Sequence, residues 1–194
     1  MTYSAHDPRT MQAINTGPSH SAPQRTPLRT PPAPTALALE RFVQLSDALT
    51  GYDHAELYGT GMVDVYLGTL TAIVGDGVTG RLLQRWADIV EEGGGDPHRE
   101  PHKMEALLRH QLLDDDTLGP IARNLAFLWY TGQWNQLPAD WRDTNGANAL
   151  DQTYIISPDA YVQGLVWQAI HSHPMGAKQP GYGSWALPPQ GDAP

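Results

Sequence analysis

The sequence predicts an all-α fold: a compact bundle of about five to six helices with a Pro-rich N-terminal tail and an extended C-terminal tail. Two observations carry this reading. Apolar residues recur at helical spacing through the middle of the chain, and no segment shows the sustained alternation of a half-buried strand. The 17 prolines and 19 glycines gather toward the ends and at the breaks between stripes. The 194 residues suffice for one core with tails. The expected division is 1–34 tail, 35–175 helical domain and 176–194 C-terminal segment.

Residues 1–34 read as a disordered tail. Pro8, Pro18, Pro23, Pro27, Pro31, Pro32 and Pro34 interrupt any helix, and the intervening Ser, Thr and Gln supply no core. Thr35 then caps a first helix carrying Leu39, Phe42, Leu45 and Leu49, which Gly51 ends. Asp53 and Glu56 form a capping box for a second helix with the stripe Tyr58, Met62, Tyr66, Leu70 and Ile73. Leu82, Leu83, Trp86, Ile89 and Val90 form a third stripe, stopped by Gly93-Gly94-Gly95. A shorter helix presents Met104, Leu107, Leu108 and Leu112. The best-defined helix repeats Leu118, Ile121, Ala122, Leu125, Leu128 and Trp129 behind Asp114-Asp115-Asp116, where the N-terminal dipole favours acids, and ends at Thr131-Gly132. Residues 133–156 read as a loop. Ser157-Pro158-Asp159 starts a last helix with Val162, Leu165, Val166, Ala169 and Ile170 buried, and Pro174 stops it.

The charge balance narrows the partners. The first 34 residues carry Asp7 against Arg9, Arg25 and Arg29, a net +2, so the rest carries −11 of the formal −9. An acidic body without a basic stripe is a poor match for a phosphate backbone, and nucleic acid is not expected as a partner. The absence of cysteine excludes disulfides, thiolate metal sites and a Cys nucleophile. No apolar run approaches the ~20 residues of a membrane span, and the first residues lack the layout of a secretory or twin-arginine signal. The expectation is therefore no direct membrane insertion. As written, the chain reads as cytoplasmic, or as periplasmic or membrane-associated if a complex carries it.

Three local patterns invite a catalytic reading. Gly75-Asp76-Gly77-Val78-Thr79-Gly80 spells a dinucleotide fingerprint, but Leu70 and Ile73 complete a helical stripe rather than a strand, and no second βαβ unit follows. It reads as a turn between helices. His98, His102 and His110, with His171 and His173, invite a metal, yet Pro97 and Pro101 place the first pair in irregular chain, and no H-E-x-x-H occurs. Asp114, Asp115 and Asp116 are explained by capping. No catalytic, cofactor-binding or metal-binding residue is therefore assigned. The aromatic load of the C-terminal part points instead to protein contact: Trp167 falls at the edge of its stripe, and Tyr182 and Trp185 lie in a Gly/Pro-rich segment with no periodicity to bury them.

Four blocks carry a family resemblance. Leu39–Gly51 resembles the opening F-x-x-L-S-x-x-L-T-G of the small (gamma) subunits of membrane-associated FAD-dependent sorbitol, glucose and fructose dehydrogenases. Leu128-Trp129-Tyr130-Thr131-Gly132 resembles their A-W-Y-x-G, Ala160–Ile170 their helix around A-L-M-W, and Gly181–Pro189 their terminal G-Y/F-W-A-x-P. The blocks keep the family's order across residues 39–189. The chain departs from the family in lacking its usual signal and its cysteine near the C-terminal segment, and in carrying Ser184 between Gly183 and Trp185.

The resemblance implies a non-catalytic subunit that binds, stabilises and in some members escorts a large GMC-type flavoprotein. FAD would sit in that partner and none in this chain, and a cytochrome c subunit is a further candidate partner. The expected interface is Tyr130, Gly132, Trp134, Trp167, Tyr182, Trp185, Pro188 and Pro189. The alternatives are a free-standing His-metal hydrolase and a helical binding module for an unrelated protein.

Overall fold

The computed structural model describes residues 35–177, so the expected tails fall almost entirely outside the described residues. The described chain is mostly helical, with one two-residue antiparallel ribbon. Its elements are α1 (Ala36–Thr50), α2 (His54–Gly59), α3 (Val63–Val74), α4 (Asp76–Gly93), α5 (Pro101–Leu108), a π-helical turn (Arg109–Leu113), α6 (Leu118–Thr131), β1 (Gln133–Trp134), α7 (Ala139–Asn145), β2 (Tyr154–Ile155), α8 (Pro158–Val162) and α9 (Val166–Ala169).

The predicted stops act through the chemistry that suggested them. Thr35 Oγ1 accepts the Ala38 amide at 3.2 Å, and Gly51 closes α1 at φ +78, a left-handed conformation that favours glycine. Both halves of the Asp53–Glu56 capping box form. Asp115 Oδ1 accepts the amides of Thr117 and Leu118 at 2.9 and 2.7 Å, so an acid just ahead of α6 takes up the amide that opens it. Gly75 turns between α3 and α4 at φ +84, which makes the glycine-rich stretch an interhelical turn.

The bundle is cut into more and shorter helices than the stripes predict. The helix expected through Tyr58 to Ile73 breaks at Thr60–Met62. There Gly61 takes φ +70, and the Thr60 hydroxyl donates to the Leu57 carbonyl while accepting the Met62 amide. Tyr58, ahead of the break, is 50% exposed, whereas Met62, Tyr66, Leu70 and Ile73 are buried. Pro101 starts α5, so His102 is helical rather than irregular. Residues 133–156 hold a ribbon and α7 where a loop was expected. The last predicted helix divides at Gln163–Gly164, and its stripe is only partly inside. Leu165 is buried, but Ala169 is exposed and Ile170 is 58% exposed.

In the core, α1 packs against α3, α4 and α6, and α4 packs against α3 and α5. The predicted stripe of α6 is buried along its whole length, as are Leu82, Leu83, Trp86 and Ile89 of α4. Trp129 ties three elements together. Its indole N–H donates to Ser46 Oγ at 2.9 Å, and that hydroxyl donates in turn to the Phe42 carbonyl at 2.8 Å. Its ring lies 6.3 Å from Phe42 and meets Tyr66 edge-on at 4.8 Å. Among the described residues the Tyr66 hydroxyl has no hydrogen-bond partner, and burial pushes its phenol above the usual range.

Two substitutions probe this arrangement in opposite directions. Trp129→Ala is expected to lower unfolding free energy by about 3–5 kcal/mol in urea titration, because it opens a cavity at the junction of α1, α3 and α6. Melting like the parent would contradict that junction. Tyr66→Phe is expected to leave stability unchanged or raise it by up to about 1 kcal/mol, since it deletes only an unpartnered buried hydroxyl. A loss above that size would show that the hydroxyl is bonded.

Candidate functional site

The expected interface residues cluster where α6 ends and the chain folds back over it. Gly132 closes α6 at φ +71, its amide donating to the Leu128 carbonyl at 2.8 Å. The C-terminal carbonyls of a helix have no partner within it, and here they are used by later chain. Leu165 N donates to the Trp129 carbonyl at 3.0 Å, and Ile156 N donates to the Gly132 carbonyl at 2.9 Å. Tyr130 is half-buried; its hydroxyl donates to the Thr50 carbonyl at 2.8 Å, and its ring meets Tyr52 edge-on. Tyr52 reaches the Leu165 carbonyl at 3.4 Å.

Gly132 and Trp134 are corrected by the structure from partner-facing to internal residues. Gly132 is buried, and a Cβ there would fall on the backbone of Ala160 and Tyr161. Trp134 is fully buried in β1, opposite Tyr154, with its indole N–H donated to Asp151 Oδ1 at 2.9 Å. The reason is local. The ribbon turns Trp134 inward, and Asp151 supplies the acceptor that a buried indole needs. Asp151, itself buried, also accepts the Leu137 amide at 3.1 Å, so it staples the connection between β1 and α7.

Trp167 remains at the surface. It is half-buried, packs edge-on against Tyr161 and donates to the Tyr161 carbonyl at 2.7 Å. Beside it runs a groove of about 340 Å³ lined by Glu56, Thr60, Leu165, Trp167, His173 and Pro174. Gln168 closes one side by donating to Glu56 Oε1 at 3.1 Å. Of the exposed side chains nearby in sequence, Tyr58 belongs to α2, Ile170 directly follows α9, and Met175 follows Pro174. Tyr182, Trp185, Pro188 and Pro189 lie outside the described residues.

Reading the sequence missed the roles of Ser46 and Asp151 and the meeting of Asp47 with two histidines. Ser46 was detectable, being a polar residue four positions after Phe42 on a buried face. Asp151 gave no signal, because its loop has no period. Asp47, His54 and His98 also meet in space: Asp47 Oδ2 lies 3.6 Å from His54 Nε2 and 3.5 Å from His98 Nε2. His110 instead pairs with Asp114, at 3.3 Å. Among the described residues, no group of three His, Cys, Asp or Glu side chains is placed to hold a metal ion, and no helix is long and apolar enough to cross a membrane.

No family model, curated protein or solved structure matches the chain.

Gly132→Ala tests the corner. The left-handed backbone costs a β-carbon about 1–3 kcal/mol, and overpacking against Ala160 adds about 1–3 kcal/mol. A loss of at least about 2 kcal/mol is expected in chemical denaturation. A neutral result would show that α8 does not rest on the end of α6.

Proposed function

We propose that this chain is a non-catalytic small subunit that binds and stabilises the FAD-carrying catalytic subunit of a GMC-type sugar or polyol dehydrogenase complex. One observation carries the reading. Three of the four blocks that resemble the small-subunit family meet at one corner of the fold. Phe42 and Ser46 of the first block hold Trp129 of the second, Thr50 holds Tyr130, and Gly132 abuts Ala160 of the third. Residues far apart in sequence thus act as one unit, which supports reading the blocks together rather than as separate chance matches.

The corner also supports a binding role. Its far side is the groove beside Trp167, and the fourth block, Gly181–Pro189, follows only four positions after Ala177, the last residue described. Two large aromatics and three prolines between Pro180 and Pro189 suit an anchor for another protein's surface, because proline restricts the chain before docking and lowers the ordering cost. FAD and the reacting groups belong to the partner in this reading, with a cytochrome c subunit as a further member of the complex.

Two measurements test it: the melting temperature of the isolated chain and its affinity for a GMC-type FAD-dependent sugar or polyol dehydrogenase subunit. Truncation after Pro180 is expected to leave the melting temperature unchanged and to abolish the complex. Loss of one hot-spot aromatic costs about 2 kcal/mol or more, roughly thirtyfold in affinity, and the truncation removes two. The isolated chain is expected to carry no flavin absorbance through gel filtration. A lower melting temperature with intact affinity, or flavin retained by the isolated chain, would contradict the proposal.

A further inference from the structure

Between Arg123 and Asp140 the chain carries no charged residue, and between Asp143 and Asp159 it carries only Asp151. Asp151 is buried and accepts the Trp134 indole and the Leu137 amide, so it presents no charge to solvent. These two stretches hold the second half of α6 and both strands of the ribbon. They also supply Phe127, Leu150, Tyr154 and Ile155, four of the nine large apolar side chains exposed among the described residues. Exposed apolar side chains are ordinary when scattered; here they fall on the stretches that lack charge.

β2 is an edge strand with one side unpaired. Ile156 N donates to the Gly132 carbonyl at 2.9 Å, which makes Gly132–Ile156 and Trp134–Tyr154 the bonded pairs and Gln133–Ile155 the unbonded pair between them. That alternation aims the Ile155 amide and carbonyl away from β1, and no described group bonds either. The edge is short. The Thr153 hydroxyl ahead of β2 is engaged by the Gln136 amide at 2.9 Å, and Ser157-Pro158 turns the chain into α8 behind it. One short strand can therefore be added, and Pro158 stops a longer ladder.

We propose that β2 pairs antiparallel with β2 of a second copy of this chain, across a two-fold axis at Ile155. In that register each Ile155 amide donates to the other copy's Ile155 carbonyl, and the two Ile155 side chains lie side by side. An edge with one donor and one acceptor at its centre is complementary to itself, as an isologous contact requires. Charge favours the same occupant. Outside the first 34 residues each copy carries −11, and on this edge two copies meet without setting acid against acid. A charged strand from another protein would find no counter-charge there. The ribbon shares no residue with the groove beside Trp167, so the pairing stands independently of the flavoprotein reading.

Sedimentation velocity of the full chain, over about 5–500 µM, tests this. The short edge covers less than the ~800 Å² per partner of a standard interface, so a dissociation constant of about 10–100 µM is expected. Raising salt from about 50 to 500 mM is expected to tighten the dimer severalfold, because screening removes repulsion between the acidic bodies. Ile155→Glu is expected to weaken it by about thirtyfold or more, since it sets two carboxylates opposite each other at the axis. The melting temperature of the monomer is expected to stay unchanged, because the replaced side chain is half exposed. Deuterium exchange of the Ile155 amide is expected to slow about fivefold or more from the lowest to the highest concentration. A monomer throughout, a dimer that salt weakens, or a dimer that survives Ile155→Glu would overturn the pairing. So would a dimer whose Ile155 amide exchanges at the monomer's rate. Should Ile155→Glu fold poorly, amide exchange in the parent decides alone.

Discussion

The bond from Trp129 to Ser46 is the constraint on which the rest of the fold depends. A buried indole needs an acceptor for its one N–H, and α1 provides a hydroxyl that is itself anchored on the Phe42 carbonyl. That relay fixes how far along α1 the helix α6 can slide and which face it turns inward. Tyr66 then closes edge-on from α3. The three helices thereby share one register, and the apolar stripes of α1, α3 and α6 meet rather than merely face each other. Apolar burial supplies most of the driving force, but it is non-directional; the indole bond selects the arrangement.

With Trp129 in place, the C-terminal end of α6 is presented as a row of carbonyls that no later residue of the helix can use. The returning chain takes them. Leu165 bonds Trp129, Ile156 bonds Gly132, and Gly164 lies close enough to Tyr130 that a Cβ would meet its carbonyl oxygen at 2.7 Å. These bonds explain why the last helix is divided. A continuous helix through Gly164 would consume the Leu165 amide internally and could not approach α6 so closely. The groove beside Trp167 is a product of that division, because it occupies the bend between α8 and α9 and the α2 surface facing it.

Much of the fold was legible in the sequence because caps and stripes are local. Thr35, the Asp53–Glu56 box, Gly51, Gly132 and Ser157 act where they stand, and the stripe of α6 is buried throughout. What was not legible depends on partners distant in sequence. Trp134 reads as an exposed aromatic until Asp151, 17 positions later, is known to accept its N–H. Gly132 reads as a helix stop and is also a contact plane for Ala160. His98 meets Asp47 and its neighbour His54 from the connection after α4, and no spacing rule anticipates that meeting. The Thr60–Met62 break was hidden because the stripe from Met62 onward keeps the same period on both readings.

The account joins a structural corner to a groove proposed for docking, and the join is open to direct measurement. Oxidative footprinting of this chain, free and bound to the flavoprotein proposed as its partner, reads side-chain access residue by residue. Trp167 and Met175 are expected to lose reactivity on binding, while Trp86, Trp129 and Trp134 stay unreactive in both states. Undiminished reactivity at Trp167 in a complex that has demonstrably formed would contradict the account, because the partner would then be docking on some other face of the bundle.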